Sequence, residues 1–325
     1  MLLSIIIVSY NTKELLEQCL KSVTQSLAKD KLEAEIIIVD NNSTDSTQEY
    51  LGKLKTQNSK LKTTTQSSKS KTPKIQNANS KTQISSKLQI SNIKTILNQE
   101  NVGFARAVNQ GIKKARGKYF LLLNSDIRVL PGSIKKLIEV IKKKKDAGLA
   151  APKLLNKDGR TSQASCYYQP TISRAFQEYW LRRLGAFEKF LPRGGYPVSV
   201  EAVVGAAMLI PKNTIDLVGL FDEKFFMYYE DLDFCRRLKK ADLKVYYVPR
   251  AKMIHHHGAS GKKEPQKVNR YLIESSKSFH GVIKHFLITV IIKLSLVTRK
   301  SYFIVLLLSA IITAMLLTFF IIYFK

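Results

Sequence analysis

Three acidic positions and one histidine run carry the residue types that catalysis at a phosphate-bearing substrate needs. Asp40 closes the apolar run EIIIVD. A carboxylate at the carboxyl end of a strand can accept hydrogen bonds from a base or ribose, and it serves equally well as a turn or helix-capping aspartate. Asp126 follows LLLN at a second strand end. It suits a hard divalent cation that completes its shell with phosphate oxygens and water, and such a cation would neutralise charge building on a diphosphate leaving group. A lone aspartate before a turn reads the same way. In YYEDLDFCRR, Glu230 and Asp233 stand three apart on one helical face. Arg237 lies four residues beyond Asp233 and can pair with it, which leaves Asp233 open to a purely structural role. Asp231 faces elsewhere and is the better candidate for a general base. His255, His256 and His257 follow a strand. On an extended chain at most His255 and His257 share a side, and the HExxH spacing of helical zinc sites is absent, so metal binding and a structural role both stand.

These residues need elements to hold them. LLSIIIVS is a continuous β-branched run of the kind a strand covered on both faces shows. After it, Leu15, Leu16, Cys19, Leu20 and Val23 recur at helical spacing. EIIIVD repeats the strand signal, and Asn42, Ser43 and Thr44 can cap a helix beginning near Ser46. Ile93 to Leu97 reads as a third strand leading into a helix from Gly103 to Ala115. Lys118 to Leu123 is a fourth, leading past Pro131 into a helix that ends at Lys145. Strands separated by helices predict an α/β fold with a mostly parallel, doubly wound sheet, whose ligands sit at strand carboxyl ends. Beyond Lys153 the pattern becomes α+β. Val200 to Ile210 reads as a strand kinked at its small residues, Glu230 to Lys240 as a helix opened by acids and closed by bases, and KVYYVP as a further strand.

The chain has 325 residues, 45% of them hydrophobic, which excludes wholesale disorder. Its net charge of +28 raises nucleic acid and anionic membranes as partners. The excess is unevenly placed: from Lys53 to Ile96 there are ten lysines and no acid. That stretch has few large apolar groups, so residues 55–92 are expected to be a disordered basic insert. It lacks interleaved aromatics and nearly lacks arginine, so nucleic acid is not an expected partner; contact with anionic lipid and an inert insertion remain. Cys19, Cys166 and Cys235 lie far apart without CxxC spacing, which excludes a disulfide framework or zinc ribbon. The first eight residues are too short and uncharged for a secretory signal. Residues 302–324 contain no charge; as a helix they would span ~35 Å and cross a bilayer. Arg299 and Lys300 before them place the N-terminal bulk in the cytoplasm by the positive-inside bias. The apolar stretch from His280 to Val297, broken by Lys284, His285 and Lys293, reads as an interfacial amphipathic helix, with a second, poorer membrane span as the alternative.

Seven segments in order decide the reading: SIIIVSYN, IIIVDNNSTD, NVGFARAVNQGI, YFLLLNSD, VGAAMLIPK, GLFDEKFFMYYEDLDFCRRL and VPRAKMIHHHGAS. Together they resemble the family-2 glycosyltransferases, in the rhamnosyltransferase-like branch. The resemblance implies a GT-A fold over residues 1–265, with a nucleotide-binding half (1–150) and an acceptor-binding half (151–265). An amphipathic linker (266–300) and a transmembrane helix (302–324) would follow. It implies inverting transfer of rhamnose or a similar hexose from a UDP- or dTDP-sugar to a hydroxyl of a glycan or lipid-linked acceptor in polysaccharide synthesis. Mn²⁺ or Mg²⁺ would assist, at the cytoplasmic face of the cell membrane. By the same resemblance Ser9, Asn11, Asp40, Asn101, Gly103, Phe104, Asn109 and Asn124 serve the donor, and Asp126 and His255 hold the metal. Asp231 is the base, with Glu230 and Asp233 binding acceptor or positioning that base. The alternative is a catalytically degenerate membrane protein that binds sugar nucleotides or glycans.

Overall fold

The computed structural model describes residues 2–56, 93–256 and 265–298, with Thr313. Most of the basic insert, His257 and the uncharged segment 302–324 apart from Thr313 lie outside the described residues. The chain opens with β1 (Leu3–Ser9), α1 (Lys13–Asp30), β2 (Ala34–Asp40) and α2 (47–56), then β3 (Ile93–Leu97), α3 (Phe104–Lys114) and β4 (Tyr119–Asn124). Residues 55 and 56, read from sequence as the start of the insert, close α2. Next come β5 (Ile127–Val129), α4 (Ser133–Lys143), β6 (Ala147–Leu155), β7 (Cys166–Tyr167), α5 (Ile172–Tyr179), β8 (Val198–Val200), β9 (Ala202–Val203) and β10 (Ala207–Pro211). The last elements are α6 (Lys212–Val218), α7 (Glu230–Lys240), β11 (Lys244–His255), α8 (Pro265–His280) and α9 (282–298).

The main sheet has nine strands, ordered β3-β2-β1-β4-β10-β6-β11-β5 with β8 on β11. Alternation in β1 accounts for its position between two helical layers. Ile5 and Ile7 pack with Leu16, Leu20 and Val23 of α1, and Ile6 packs on the other side with Ala107, Val108 and Ile112 of α3. Gly111 lets α3 settle this closely, because a Cβ there would lie 2.4 Å from Cγ2 of Ile6.

The sheet is mixed, which corrects the expectation of a mostly parallel one. Strands β3, β2, β1 and β4 run parallel, but β10 returns antiparallel between β4 and β6. Pairings on β11 are parallel with β6 and antiparallel with β5 and β8. The physical reason is the run Val200 to Ile210. Its small residues break it up: Val200 ends β8 on β11, Ala202–Val203 forms β9 and pairs with β7 in a separate two-stranded sheet, and after a turn Ala207–Pro211 enters between β4 and β6, buried throughout.

The stretch read as a linker from 266 to 300 consists of α8 and α9, parted at Gly281, whose φ is +78°. Phe279 of α8 packs against Phe225 and Tyr229, so α8 braces the segment that leads into α7. Among the described residues no helix is long and apolar enough to cross a membrane. The three cysteines are buried and free.

Candidate active site

A cavity of about 590 Å³ opens at the carboxyl ends of β1, β2 and β4. Its floor comes from Val8, Tyr10, Asn41, Asn124, Ser125 and Asp126, one wall from Asn101 and Phe104, and another from the turn 204–206 with Met227, Tyr228, Glu230 and Asp231. His255 at the end of β11 and Gln163 from the loop after β6 close the side near Asp126.

The wall carrying Glu230 and Asp231 is held under strain. Tyr228 and Tyr229 both have positive φ, +71° and +65°, a region that non-glycine residues rarely occupy and that costs of order 1–3 kcal/mol at each position. Neighbours enforce it: the Phe104 N–H donates to the Phe226 carbonyl at 2.7 Å, and the Ser275 hydroxyl of α8 donates to the Met227 carbonyl at 2.8 Å. The result delivers Glu230 and Asp231 to the first turn of α7, where the helix dipole favours negative charge. Asp231 Oδ2 accepts the Gly205 N–H at 2.9 Å and Oδ1 accepts the Leu232 N–H at 2.8 Å. Burial raises the Asp231 carboxyl above the usual carboxylate range, while those N–H groups and Lys189 restrain the rise. Glu230 is buried beside it with Oε2 unpartnered, and burial together with the Asp231 charge drives its carboxyl well above the usual value. Both carboxyls are thus raised, Glu230 further because no donor offsets its burial, while Asp231 has two N–H groups and Lys189 favouring its charged form.

Asp233 takes no part in this wall. It is buried against α7's own basic residues, 2.9 Å from Arg236 Nη2 and 2.9 Å from Arg237 Nε, and Arg237 also donates to the Val218 carbonyl. The i, i+4 pairing visible in the sequence accounts for its placement.

Asp126 and His255 face each other. Gln163 Nε2 donates to the His255 carbonyl at 2.8 Å, so Gln163 Oε1 is the atom set 3.0 Å from His255 Nδ1 and accepts its proton. That tautomer turns the Nε2 lone pair toward Asp126 Oδ1 at 3.5 Å. Asp126 is only 8% exposed, Oδ1 has no hydrogen-bond partner, and burial pushes its carboxyl up to about 6. With the ring neutral these are two electron-pair donors facing each other, and a positive species between them, a proton or a cation, satisfies both. A divalent cation completed by phosphate oxygens and water fits that donor set. Among the described residues no cluster of three or more His, Cys, Asp or Glu side chains forms a fuller cage.

The remaining motif residues divide into cavity wall and scaffold. Asn101, Phe104 and Asn124 line the cavity, and Asn124 Oδ1 is buried without a partner. Asp40 does not reach it: fully buried, its Oδ2 accepts the Ser43 N–H at 3.0 Å and Gln48 Nε2 at 3.3 Å, which is the turn reading. Ser9 is buried 3.2 Å from the Thr12 hydroxyl. Asn11, at φ +53°, accepts the Thr44 N–H at 2.7 Å and so ties the first loop to the second. Asn109 clamps Phe221 through both its N–H and its carbonyl. Gly103 caps α3 at φ +85°, its N–H bonded to Asn101 Oδ1.

A model of glycosyl transferase family 2 matches residues 4–72 and 66–192. The chain belongs to glycosyl transferase family 2. A relative in Mycobacterium tuberculosis, named N-acetylglucosaminyl-diphospho-decaprenol L-rhamnosyltransferase, is 26% identical over 197 residues. The match covers 54% of this chain and 62% of that protein. The dTDP-rhamnosyl transferase RfbF of Shigella flexneri is 25% identical over 159 residues, 48% of this chain and 49% of its own. The chain thus spans about half to three-fifths of these relatives. Among solved structures, GalNAc-T7 with UDP, GalNAc and Mn²⁺ superposes with TM-score 0.57 at 17% identity, covering 84% of this chain and 48% of that one. A mannosyltransferase from Pyrobaculum calidifontis with GDP-mannose and Mn²⁺ gives 0.53 at 12%, covering 96% and 80%. These likenesses show the GT-A fold.

In this family-2 chain, reading the residues in order misses several cavity groups. Tyr10 stands inside SYN, between Ser9 and Asn11. Gln163 carries no local signal, because its bond to His255 joins positions 92 apart. Lys189 is one of 53 basic residues; only its approach to Asp231 and its place above the Tyr167 ring, 5.8 Å from the centroid, set it apart.

Proposed function

We propose that this chain is an inverting glycosyltransferase that moves rhamnose or a similar hexose from a UDP- or dTDP-sugar to a hydroxyl of a lipid-linked glycan, for cell-surface polysaccharide. The observation that carries the reading is Asp231, held by two backbone N–H groups on the wall of a cavity that Asp126 and His255 also line. The names of the relatives support rhamnose and a diphospho-lipid acceptor. The uncharged segment 302–324 supports an anchor at the cytoplasmic face of the membrane.

In this reading the acceptor hydroxyl attacks the anomeric carbon from the face opposite the nucleotide. A new C–O bond forms, the bond to phosphate breaks with its electron pair, and Asp231 takes the hydroxyl proton. One displacement inverts the centre. Glu230, whose burial favours its neutral form, would then spare Asp231 a second negative charge at close range. Asn101, Phe104 and Asn124 contact donor, while Ser9, Asn11, Asp40, Gly103 and Asn109 fix the loops around it. Asp126 and His255 would hold Mn²⁺ or Mg²⁺, which when bound supplies positive charge to the diphosphate.

Titration calorimetry of the full chain with UDP, dTDP and GDP, with and without Mn²⁺, tests the reading. We expect UDP or dTDP to bind in a metal-dependent way that Asp126→Ala abolishes. A folded protein that binds none of the three is instead a glycan-binding protein without catalysis, and binding indifferent to chelator and to Asp126→Ala removes the metal assignment.

A further inference from the structure

Away from the cavity, α5 and α9 leave a large apolar face uncovered. Trp180, next after α5, is 41% exposed and stacks on the exposed Phe176, ring centroids 6.0 Å apart. Leu181 follows, and Leu184 is 90% exposed. This is a built loop. Glu178, itself buried, accepts N–H groups from Gly185 at 3.1 Å, Phe187 at 2.8 Å and Glu188 at 3.2 Å, so one carboxylate pins the chain on the far side of the leucines and holds them outward. The indole N–H of Trp180 donates to the Ile291 carbonyl at 3.1 Å, which fastens the loop to α9. On α9, Ile283, Leu287, Leu294 and Val297 recur at i, i+4, i+11 and i+14, one exposed stripe, while Ile288 and Ser295 form its buried side.

The charges around this face are mostly positive. Arg182 and Arg183 lie between Leu181 and Leu184, Lys284 and Lys293 lie beside the stripe, and no Asp or Glu occurs after Glu274. The exposed Glu188 near the loop is engaged by the Tyr179 hydroxyl at 2.6 Å. Large apolar groups, a tryptophan with one polar edge and a rim of cations match the layering of an anionic bilayer surface, where acyl chains lie beneath phosphates. In sequence the stripe leads directly toward the uncharged segment 302–324.

We propose that α5, the Trp180–Leu184 loop and α9 form a docking face for an anionic phospholipid bilayer, seated at the boundary of headgroups and acyl chains. The proposal rests on the membrane location in the proposed function and adds a second, folded contact to it. The same segment that carries Leu184 outward carries Lys189 into the cavity five residues later, so docking would fix the height of the cavity above the lipid and present it to an acceptor confined to that surface.

Trp180 is the chain's single tryptophan, so its fluorescence reports on this face alone. The test uses the full chain reconstituted in vesicles of phosphatidylcholine and phosphatidylglycerol, with brominated acyl chains as quencher from the lipid and iodide from the water. We expect a blue-shifted emission, quenched by the brominated lipid and shielded from iodide, with weaker lipid quenching in pure phosphatidylcholine. Leu184→Asp, at a position the fold does not bury, should reduce the lipid quenching without altering nucleotide binding. A protein that floats with vesicles while Trp180 stays open to iodide and blind to bromine overturns the docking face alone. One that does not float with vesicles overturns the membrane location with it. Neither result bears on the glycosyltransferase reading, which nucleotide calorimetry decides.

Discussion

The pair Glu230 and Asp231 separates two carboxylates one residue apart by their surroundings. Asp231 has two N–H donors and the field of Lys189, whereas Glu230 has a buried oxygen with no partner. A base must be ionised to work, and burial raises the Asp231 carboxyl above its ordinary range. Activity is therefore expected to fall as pH drops through a value above that of an ordinary aspartate, and to be full above it. Asp231→Asn should lower turnover by ~100-fold or more while leaving nucleotide affinity unchanged. Glu230→Gln, which mimics the protonated acid, should keep the acidic limb of kcat/KM. Steady-state kinetics from acid to neutral pH check both; an acidic limb lost in Glu230→Gln and kept in Asp231→Asn would exchange their roles. At this scale the sequence pointed to the acidic cluster that the fold sets in the first turn of α7, and helical geometry already set Asp233 toward Arg237. Asp40 shows the opposite limit. A small polar side chain closing a strand can meet a ligand or its own next turn with equal ease, and only the folded loop shows Ser43 and Gln48 occupying it.

Among the elements, a close contact joins the start of α3 to the strained segment before α7. At Gly103 a Cβ would lie 2.5 Å from the Phe226 carbonyl oxygen, and φ is +85°. Gly103→Ala must push back the segment that aims Glu230 and Asp231. We expect a stability loss of about 1–3 kcal/mol and a fall in turnover, read by thermal unfolding and kinetics. Gly52→Ala is the control: in α2, with nothing within 4 Å of its new Cβ, it should be neutral or raise stability by about 0.5–1 kcal/mol. A destabilisation equal to that of Gly103→Ala would show that the crowding is not the cause. Helices and strands were legible where apolar period and end residues agree locally, as with Ile93–Leu97 and Glu230–Lys240. The antiparallel β10 was not. Its neighbours β4 and β6 lie far from it in sequence, and nothing in AMLIP specifies the direction in which a fully buried strand is inserted.

For the molecule as a whole, Glu35 joins parts that the sequence keeps far apart. Its carboxylate, buried in β2, accepts the Ser4 hydroxyl of β1 at 2.7 Å, the Arg116 N–H before β4 at 2.6 Å and Lys94 Nζ of β3 at 2.7 Å. Burial alone would raise this carboxyl, but the hydrogen bonds from Lys94, Ser4 and Arg116 outweigh it and hold the value below the usual range. The sign of the linkage follows. A group whose folded value lies below its unfolded one contributes stability that is complete above the unfolded value and disappears as pH falls through the folded one. Glu35→Gln should therefore lose stability most at neutral pH, and the gap to the parent protein should narrow as pH falls below the ordinary glutamate range. Denaturant unfolding at a series of pH values measures it. Because β3 is the edge strand reached only after the basic insert, this carboxylate and the parallel register with β2 hold it in the sheet. A Glu35→Gln gap that stays constant down through the acid range would mean that the three hydrogen bonds, independent of charge, carry the effect.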